Sequence, residues 1–271
     1  MLELIMSMII WGSIGLFVVL SKVSALEIAF YRCLIGVIVV GLYLLQSKKP
    51  LPLNKSSINI GLAGICLVLN WVFLFKSFQV SSITIGNMSY YLQPIILLLL
   101  GILFFKEKLQ PSKAALIFCA LIGVIMTMLT KNIPFHNVLI GALLAIVAAL
   151  FYSVLTILMR LSKAGFFEAI FIQLTIGLIV LFPFVHFTKL SGSSISYLII
   201  IGAIHTVGAY YLYYKGIKKV DLTSLAIISY LDPIVAIGTD VLFFNRTLNV
   251  VQIIGIMITF GAIYFVIKPK T

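Results

Sequence analysis

The sequence predicts an all-α integral membrane protein with ten transmembrane helices in a 5+5 inverted-topology repeat. Three observations lead to this fold class. Of the 271 residues, 62% are hydrophobic and only 10% are charged, and the mean hydropathy is +1.23. The apolar runs are continuous and about 20 residues long, which is the length a helix needs to span a bilayer. The two halves of the chain also resemble each other.

The composition excludes a soluble domain, because such domains are about a quarter charged. It also argues against a membrane β-barrel, whose strands alternate apolar and polar residues instead of running continuously apolar. In lipid, backbone polar groups must bond within the structure, and a helix satisfies them inside one segment. The apolar runs are therefore predicted to be membrane-spanning helices.

Charges, prolines, glycines and serines separate ten such runs, and the short connections leave no room for a soluble domain. In chain order, the predicted spans cover approximately residues 2–20, 25–45, 58–78, 81–104, 112–130, 137–158, 168–188, 195–214, 222–244 and 250–267.

The basic residues predict the orientation of the spans. If the N-terminus is cytoplasmic, 13 lysines and arginines lie in inside segments and 5 in outside segments. This bias predicts a multi-pass protein of the plasma or inner membrane with both termini in the cytoplasm. The net charge of +12 is spread thinly and forms no basic patch, so we expect membrane lipids and no nucleic acid as partners.

An internal repeat divides the chain into two predicted units, residues 1–131 and 132–271. Residues 76–109 align without a gap on 215–248, a shift of 139, and ten of the 34 positions are identical. A shift of 141 aligns SKVSALE (21–27) with SKAGFFE (162–168). Because five is odd, the second unit enters the membrane from the opposite side. Inverted repeats of this kind are typical of secondary transporters, which alternate between two near-equivalent states.

Several motifs resemble one family of transporters over essentially the whole chain. They are WGSIG (11–15), FYRCLIG (30–36), FKSFQVSS (75–82), LQPIILLLLGILFFKEKL (92–109) and YKGIKKVDLTSLAIISYLDP (214–233). On these motifs the chain resembles the EamA-type family of the drug/metabolite transporter superfamily. The resemblance implies amino acids, their derivatives, nucleobase-like metabolites or drugs as solutes, and export over uptake. The family's glutamate after the fourth span is kept as Glu107, but the second-half position is Arg246.

A polar residue directly before a proline recurs near the middle of the fourth and ninth spans. The pairs are Gln93–Pro94 and Asp232–Pro233. Proline frees a backbone carbonyl about one turn earlier and allows a bend, so Pro94 and Pro233 are predicted hinges. A carboxylate at the bilayer centre costs about 2.5–3.5 kcal/mol and is usually functional. Asp232 and Gln93 are therefore predicted substrate-binding residues, although a hydrogen bond to a neighbouring helix also explains Asp232.

Two further titratable residues lie within predicted spans. His205 could exchange protons near neutral pH and, with Asp232, couple solute movement to protons. A histidine bonded to a backbone carbonyl is the alternative. Asp240 is interpreted as a structural ion-pair partner of Arg32.

The aromatic residues fall into two groups. WVFLF (71–75) and YYLYY (210–214) align in the repeat and are interpreted as interfacial belts. Deeper rings could enclose a flat or cationic solute, and helix packing explains them equally well. The predicted substrate-binding residues of this kind are Trp11, Tyr91, Tyr152 and Tyr230, and Asn70 is a further hydrogen-bonding candidate.

Together these features predict a secondary active transporter that exports small organic metabolites, coupled to protons as an antiporter and acting as a monomer or homodimer. We find no nucleotide-binding loop, no metal-binding motif and no nucleophile with its base, so we expect no catalytic residue, no cofactor and no enzyme activity. The alternatives are an uncoupled facilitator or uptake carrier, and a flippase or membrane enzyme for lipid-linked substrates.

Overall fold

A computed structural model confirms the predicted fold class. It describes residues 1–48, 55–81, 83–106, 110–128, 138–244 and 247–267. Within these ranges, seven helical segments are long and apolar enough to cross a membrane, and three shorter apolar helices complete the ten. Glu107, which keeps the family's glutamate, and Arg246, which replaces it in the second half, both lie outside the described residues.

Ten spans are built from fourteen α-helices, because four of the spans are irregular. The helices are α1 (Leu2–Gly12), α2 (Ile14–Ser21), α3 (Ala25–Gln46), α4 (Lys55–Val80), α5 (Ile83–Tyr90), α6 (Gln93–Phe105), α7 (Pro111–Met128), α8 (Val138–Leu161), α9 (Phe166–Leu181), α10 (Gly192–Ile200), α11 (Ala209–Ile217), α12 (Leu222–Ser229), α13 (Leu231–Phe244) and α14 (Val250–Ile267).

The four irregular spans each have a local cause. The fourth span breaks between α5 and α6, and the ninth between α12 and α13, in both cases just before the proline. The first span breaks at Ser13, between α1 and α2. In the eighth span a π-helical segment, Ile201–Gly208, joins α10 to α11. Such π-helical segments are rare in proteins, and those that do occur often lie at functional sites.

Repeat-equivalent helices pack directly against each other. Helix α7 lies against α14, and α3 lies against α9. Equivalent residues also meet: the Tyr230 hydroxyl donates to the Tyr91 carbonyl oxygen at 3.2 Å. The Thr259 hydroxyl lies 3.5 Å from the carbonyl oxygen of Ala120, again 139 positions away. A residue can touch its own counterpart only near a symmetry axis, so the pseudo-two-fold axis runs between these helices.

Large apolar side chains cover the outside of the bundle. Leu103, Leu139 and Leu242 are 72%, 72% and 76% exposed. The interior also holds large apolar side chains, together with small residues and polar groups that bond to neighbouring helices. One example is Ser77, which donates to the Gly141 carbonyl oxygen at 2.7 Å. This distribution matches a protein whose outer surface faces hydrocarbon.

Ion pairs connect the two halves at the end of the bundle where the N-terminus lies. Lys219 donates to Glu3, and Lys113 lies 3.0 Å from Asp221. Asp221 also caps α12 by accepting from the Ser224 amide at 3.0 Å. Partial burial would raise the pKa of the Asp221 carboxyl, but the bonds from Ser224 and Lys113 outweigh it and lower that pKa below its usual range.

Asp221→Ala is expected to destabilise the protein by about 1 kcal/mol, chiefly through loss of the helix cap, since the partly exposed ion pair is screened by water. Asp221→Asn keeps a capping oxygen and should cost only a few tenths. Because the folded pKa is lowered, the difference between wild type and Asp221→Ala should be complete near neutral pH and shrink as pH falls through that pKa. Melting temperature in detergent across acidic pH measures this. An equal loss in both variants would contradict the role of the cap.

Candidate substrate site

A group of five aromatic rings lies where the first, fourth, sixth and eighth spans meet. We call it the aromatic cluster: Trp11, Tyr90, Tyr152, Tyr210 and Tyr213. The indole of Trp11 lies 5.0 Å, centroid to centroid, from both Tyr210 and Tyr213 and 6.4 Å from Tyr152. Tyr90 lies 6.4 Å from Tyr152. The cluster thus joins rings from both halves of the chain.

Hydrogen bonds fix most of these rings. The Trp11 indole donates to the His205 carbonyl oxygen at 2.9 Å. Asn70 donates to the Tyr90 hydroxyl at 3.0 Å and to the Ala148 carbonyl oxygen at 2.9 Å. Trp11, Tyr90 and Tyr152 are only half-buried although they lie among the helices. The helices therefore leave accessible space beside these three rings.

The break in the fourth span lies against the sixth span. Ser153 shares its hydroxyl between the carbonyl oxygens of Ala149, at 2.8 Å, and Gln93, at 3.3 Å. The Gln93 amide nitrogen is 3.5 Å from the same hydroxyl. Gln93 is buried, and Pro94 follows it in the first turn of α6. Gln93, a predicted binding residue, is therefore in contact with Ser153 of the sixth span on both its side chain and its backbone.

The break in the ninth span lies against the first span, with a different contact. Gly12, the repeat counterpart of Ser153, faces the backbone of Asp232 so closely that a Cβ at Gly12 would lie 2.6 Å from the Asp232 carbonyl oxygen. Within the described residues the Asp232 carboxyl has no hydrogen bond and no ion pair, and it is half-buried. It lies in the first turn of α13, with Pro233 next, where the helix dipole favours a negative charge.

Tyr91 and Tyr230 link the two breaks. Each is the residue just before the Leu-polar-Pro segment of its own span, and Tyr230 donates to the Tyr91 carbonyl oxygen. Tyr91 lies 6.5 Å from the Tyr90 ring, at the edge of the aromatic cluster. The Asp232 carboxyl is within electrostatic range of Tyr90 and Tyr91. The structure thus brings Asp232, the breaks and the cluster together.

His205 lies on the other side of the first span, in the π-helical segment. Its Nε2 is 3.1 Å from the Ser13 hydroxyl, and its Nδ1 is 3.4 Å from the Ile200 carbonyl oxygen. Its ring also lies 4.8 Å from that of Phe17. Both nitrogens therefore have partners within the described chain, and neither partner is Asp232. These contacts match the alternative expectation of a histidine bonded to a backbone carbonyl.

One expectation from the sequence, that of an aromatic belt at residues 210–214, was wrong. Another, the ion pair of Arg32 with Asp240, involves a side chain outside the described part of the chain. Tyr210 and Tyr213 are 4% and 1% exposed, so they belong to the interior and not to an interfacial belt. They lie one turn apart on α11, a spacing that could have indicated one shared face. Arg32 donates from Nε to the Thr206 hydroxyl at 3.0 Å and lies over Trp71. The side chain of Asp240, its expected partner, is outside the described part of the chain.

No group of three or more His, Cys, Asp or Glu side chains in the described ranges could hold a metal ion. The chemistry that the site offers is therefore hydrogen bonding, ring contacts and a single carboxyl.

Comparison with known proteins gives matches over almost the whole chain. The model of the EamA-like transporter family matches residues 1–129 and 139–268. The uncharacterized transporter YxxF of Bacillus subtilis (strain 168) is 34% identical over 269 residues, covering 96% of this chain and 86% of that protein. An uncharacterized transporter of Archaeoglobus fulgidus is 22% identical over 255 residues, covering 93% of this chain and 90% of that one.

A crystal structure of another protein superimposes with a TM-score of 0.85, covering 98% of this chain and 96% of that one. Its sequence identity is 17%, so it supports the fold alone.

Gly12→Ala is expected to destabilise the protein by about 1–3 kcal/mol, because the new methyl group would overlap the Asp232 carbonyl and Val235. Gly15→Ala is the matched control in the same span, since a Cβ there meets nothing within 4 Å. Its effect should be neutral or stabilising by up to about 1 kcal/mol. Thermal unfolding of both variants in detergent tests this, and equal stability would show that the contact with Asp232 is looser than described.

Proposed function

Because the chain belongs to the EamA-like transporter family, we propose that it is a secondary active transporter that exports small organic metabolites, such as amino acids or their derivatives, in exchange for protons. It works by alternating access around the aromatic cluster and Asp232. The observation that carries the proposal is the pair of broken spans, one from each half, which meet beside that cluster. Discontinuous helices at the midpoint of inverted repeats are where transporters bind their solutes.

Asp232 is the proposed coupling residue. It is the acidic member of a repeat pair whose other member, Gln93, cannot ionise, so the chain carries one titratable carboxyl at the breaks. Its lack of a fixed partner in the described chain supports exchange between a proton and a solute amine or hydrogen-bond donor. Charging such a group inside the membrane is costly, so its protonation and solute binding are linked. His205, bonded on both sides, is a secondary candidate.

Alternating access follows from the symmetry of the two units, residues 1–131 and 132–271. Each unit offers the other an almost equivalent surface, so exchanging their roles turns an inward-facing form into an outward-facing one. Pro94 and Pro233 are the proposed hinges, since the helices are already interrupted there. Glycines such as Gly12 let the helices approach and slide. The substrate contacts come from Asp232, Gln93, Asn70 and the rings of Trp11, Tyr91, Tyr152 and Tyr230.

The protein is proposed to act in the plasma or inner membrane, as a monomer or homodimer, without enzymatic activity. An uncoupled facilitator and a carrier of lipid-linked substrates are the alternatives, and both are separate outcomes of the flux experiment below.

Asp232→Asn is expected to abolish flux driven by a pH gradient while leaving exchange of labelled for unlabelled solute. The amide keeps the shape of the carboxyl and can still hydrogen-bond to a solute, but it cannot carry a proton. The purified protein is first screened by thermal stabilisation against amino acids, amines, nucleosides and cationic dyes, because a bound ligand raises the melting temperature. Hits are then measured in proteoliposomes, with and without a pH gradient.

Asp221→Asn is the control for that experiment, since it makes the same chemical change outside the spans. It should retain coupled flux. Coupled flux in Asp232→Asn would remove the residue from the mechanism. If the wild-type flux is the same with and without the pH gradient, the protein is a facilitator. If no soluble compound is transported, lipid-linked substrates are favoured.

The proposed orientation predicts that a fluorescent protein fused after Thr271 is fluorescent and that alkaline phosphatase fused there is inactive, because the former folds in the cytoplasm and the latter only outside it. Phosphatase fused after Thr188, between the seventh and eighth spans, should be active. Expression of the three fusions in a bacterial host measures this. The reverse pattern would show that both termini face outward.

A further inference from the structure

Arg32 is a buried cation whose charge has no acidic partner among the residues that the structure describes. It lies in α3 and is 9% exposed. Its Nε donates to Thr206, and the guanidinium carbon lies 4.6 Å from the centre of the Trp71 ring. A cation within a span costs several kcal/mol and is usually paired. One neutral hydroxyl and one ring face offer far less than a carboxylate.

The two contacts fix the direction of the guanidinium. The Thr206 hydroxyl donates its own hydrogen to the Ile201 carbonyl oxygen at 2.9 Å, so its lone pair is directed at Arg32. That carbonyl is five residues back, a reach that the π-helical segment allows. Trp71 holds the flat face of the group. The edge that carries both terminal amino groups is left without a protein acceptor in the described chain.

That edge is not fully closed off by protein. Both terminal nitrogens of Arg32 lack a partner in the described chain, and neither is fully enclosed. Among the described residues, the titratable groups within electrostatic range are Tyr210, Tyr152, Cys33 and His205, and none of them is a carboxylate. Tyr210 is also the ring in contact with Trp11. Arg32 therefore lies close to the aromatic cluster, next to one of its rings.

We propose that Arg32, aligned by Thr206 and Trp71, is a binding site for a carboxylate group of the transported solute. The inference rests on the proposed function, since it names the chemistry of a solute in that site. The free edge of the guanidinium matches the two oxygens of a carboxylate in a bidentate pair. A phosphate would need a second cation. No other Lys or Arg with a resolved interaction lies beside Arg32 in the described chain, and His205, which is within electrostatic range, is already bonded to Ser13 and to the Ile200 carbonyl oxygen.

The site occurs once per chain. The repeat counterpart of Arg32, under the shift of 141, is Gln173, which is 1% exposed. Its side-chain oxygen accepts from the Tyr214 hydroxyl, and its nitrogen lies 2.8 Å from the Met159 sulfur. Both polar side-chain atoms of Gln173 thus have partners, whereas the terminal N–H donors of Arg32 have none in the described chain. A solute bound at Arg32 is held on one side of the pseudo-symmetric bundle.

The test compares acids with their amides, in which a neutral carboxamide replaces the carboxylate, in the full-length purified protein. The pairs are phenylacetate and phenylacetamide, benzoate and benzamide, and leucine and leucinamide, measured by calorimetry and thermal shift. The wild type should bind at least one acid about ten- to a hundredfold more tightly than its amide. Arg32→Gln should remove that preference, and Arg32→Lys should keep part of it. Arg160→Gln, the same change at the end of α8, should leave it intact.

Thr206→Val keeps the charge and removes the group that orients it. It should lower the affinity for the acid several-fold and leave the affinity for the amide unchanged, which a general loss of packing would not do. If Arg32→Gln does not fold, the affinity of Thr206→Val for the acid and for the amide tests the assignment in its place.

An amide bound as tightly as its acid, a preference that survives Arg32→Gln, or a wild type that binds none of the acids would each overturn the assignment. Flux of solutes without acid preference would overturn it and leave the transporter standing. Acid-selective binding without flux of any compound would support Arg32 and count against the proposed function.

Discussion

Backbone groups that leave a helix inside a bilayer have no water to bond with, and each unsatisfied one costs several kcal/mol. Two spans of this protein are nevertheless broken near their middle, so neighbouring helices must compensate. Ser153 donates to the carbonyl of Gln93, and Tyr230 donates to the carbonyl of Tyr91. Trp11 donates likewise to the carbonyl of His205 in the π-helical segment. The contacts that satisfy the backbone are thus also the contacts that assemble the site.

The two halves solve this shared problem with different side chains. At one break a serine and a glutamine bond to each other, and at the other a glycine lies against the backbone beside an aspartate. Trp71 supports Arg32, while its counterpart Tyr210 contacts Trp11. The backbone break is kept in both halves, just before the proline of each span. The side chains differ at Asp232, which is where the proposed mechanism places the charge that meets the solute.

Much of the fold could be predicted because it depends on local composition. The ninth span, predicted over residues 222–244, is observed as Leu222–Ser229 and Leu231–Phe244, and Pro233 marks the interruption. The eighth span was predicted three residues too short at each end, and this error placed Tyr210 near the membrane surface. The π-helical segment had no signal in the sequence, so neither Thr206 nor its bond to Arg32 could be predicted. Hydropathy gives the length of a helix but not which face it turns to the centre.

The contacts between equivalent residues across the pseudo-two-fold axis, such as Tyr91 with Tyr230, have an evolutionary consequence. They are the contacts that an antiparallel homodimer of a single five-helix protein would make with itself. Such an ancestor would have carried either two central aspartates or none, and two facing carboxylates would repel each other in a medium of low dielectric constant. Joining the two copies in one gene removes that restriction, because each copy can then change alone. One aspartate opposite one glutamine is an arrangement that a homodimer cannot have and that this single chain encodes.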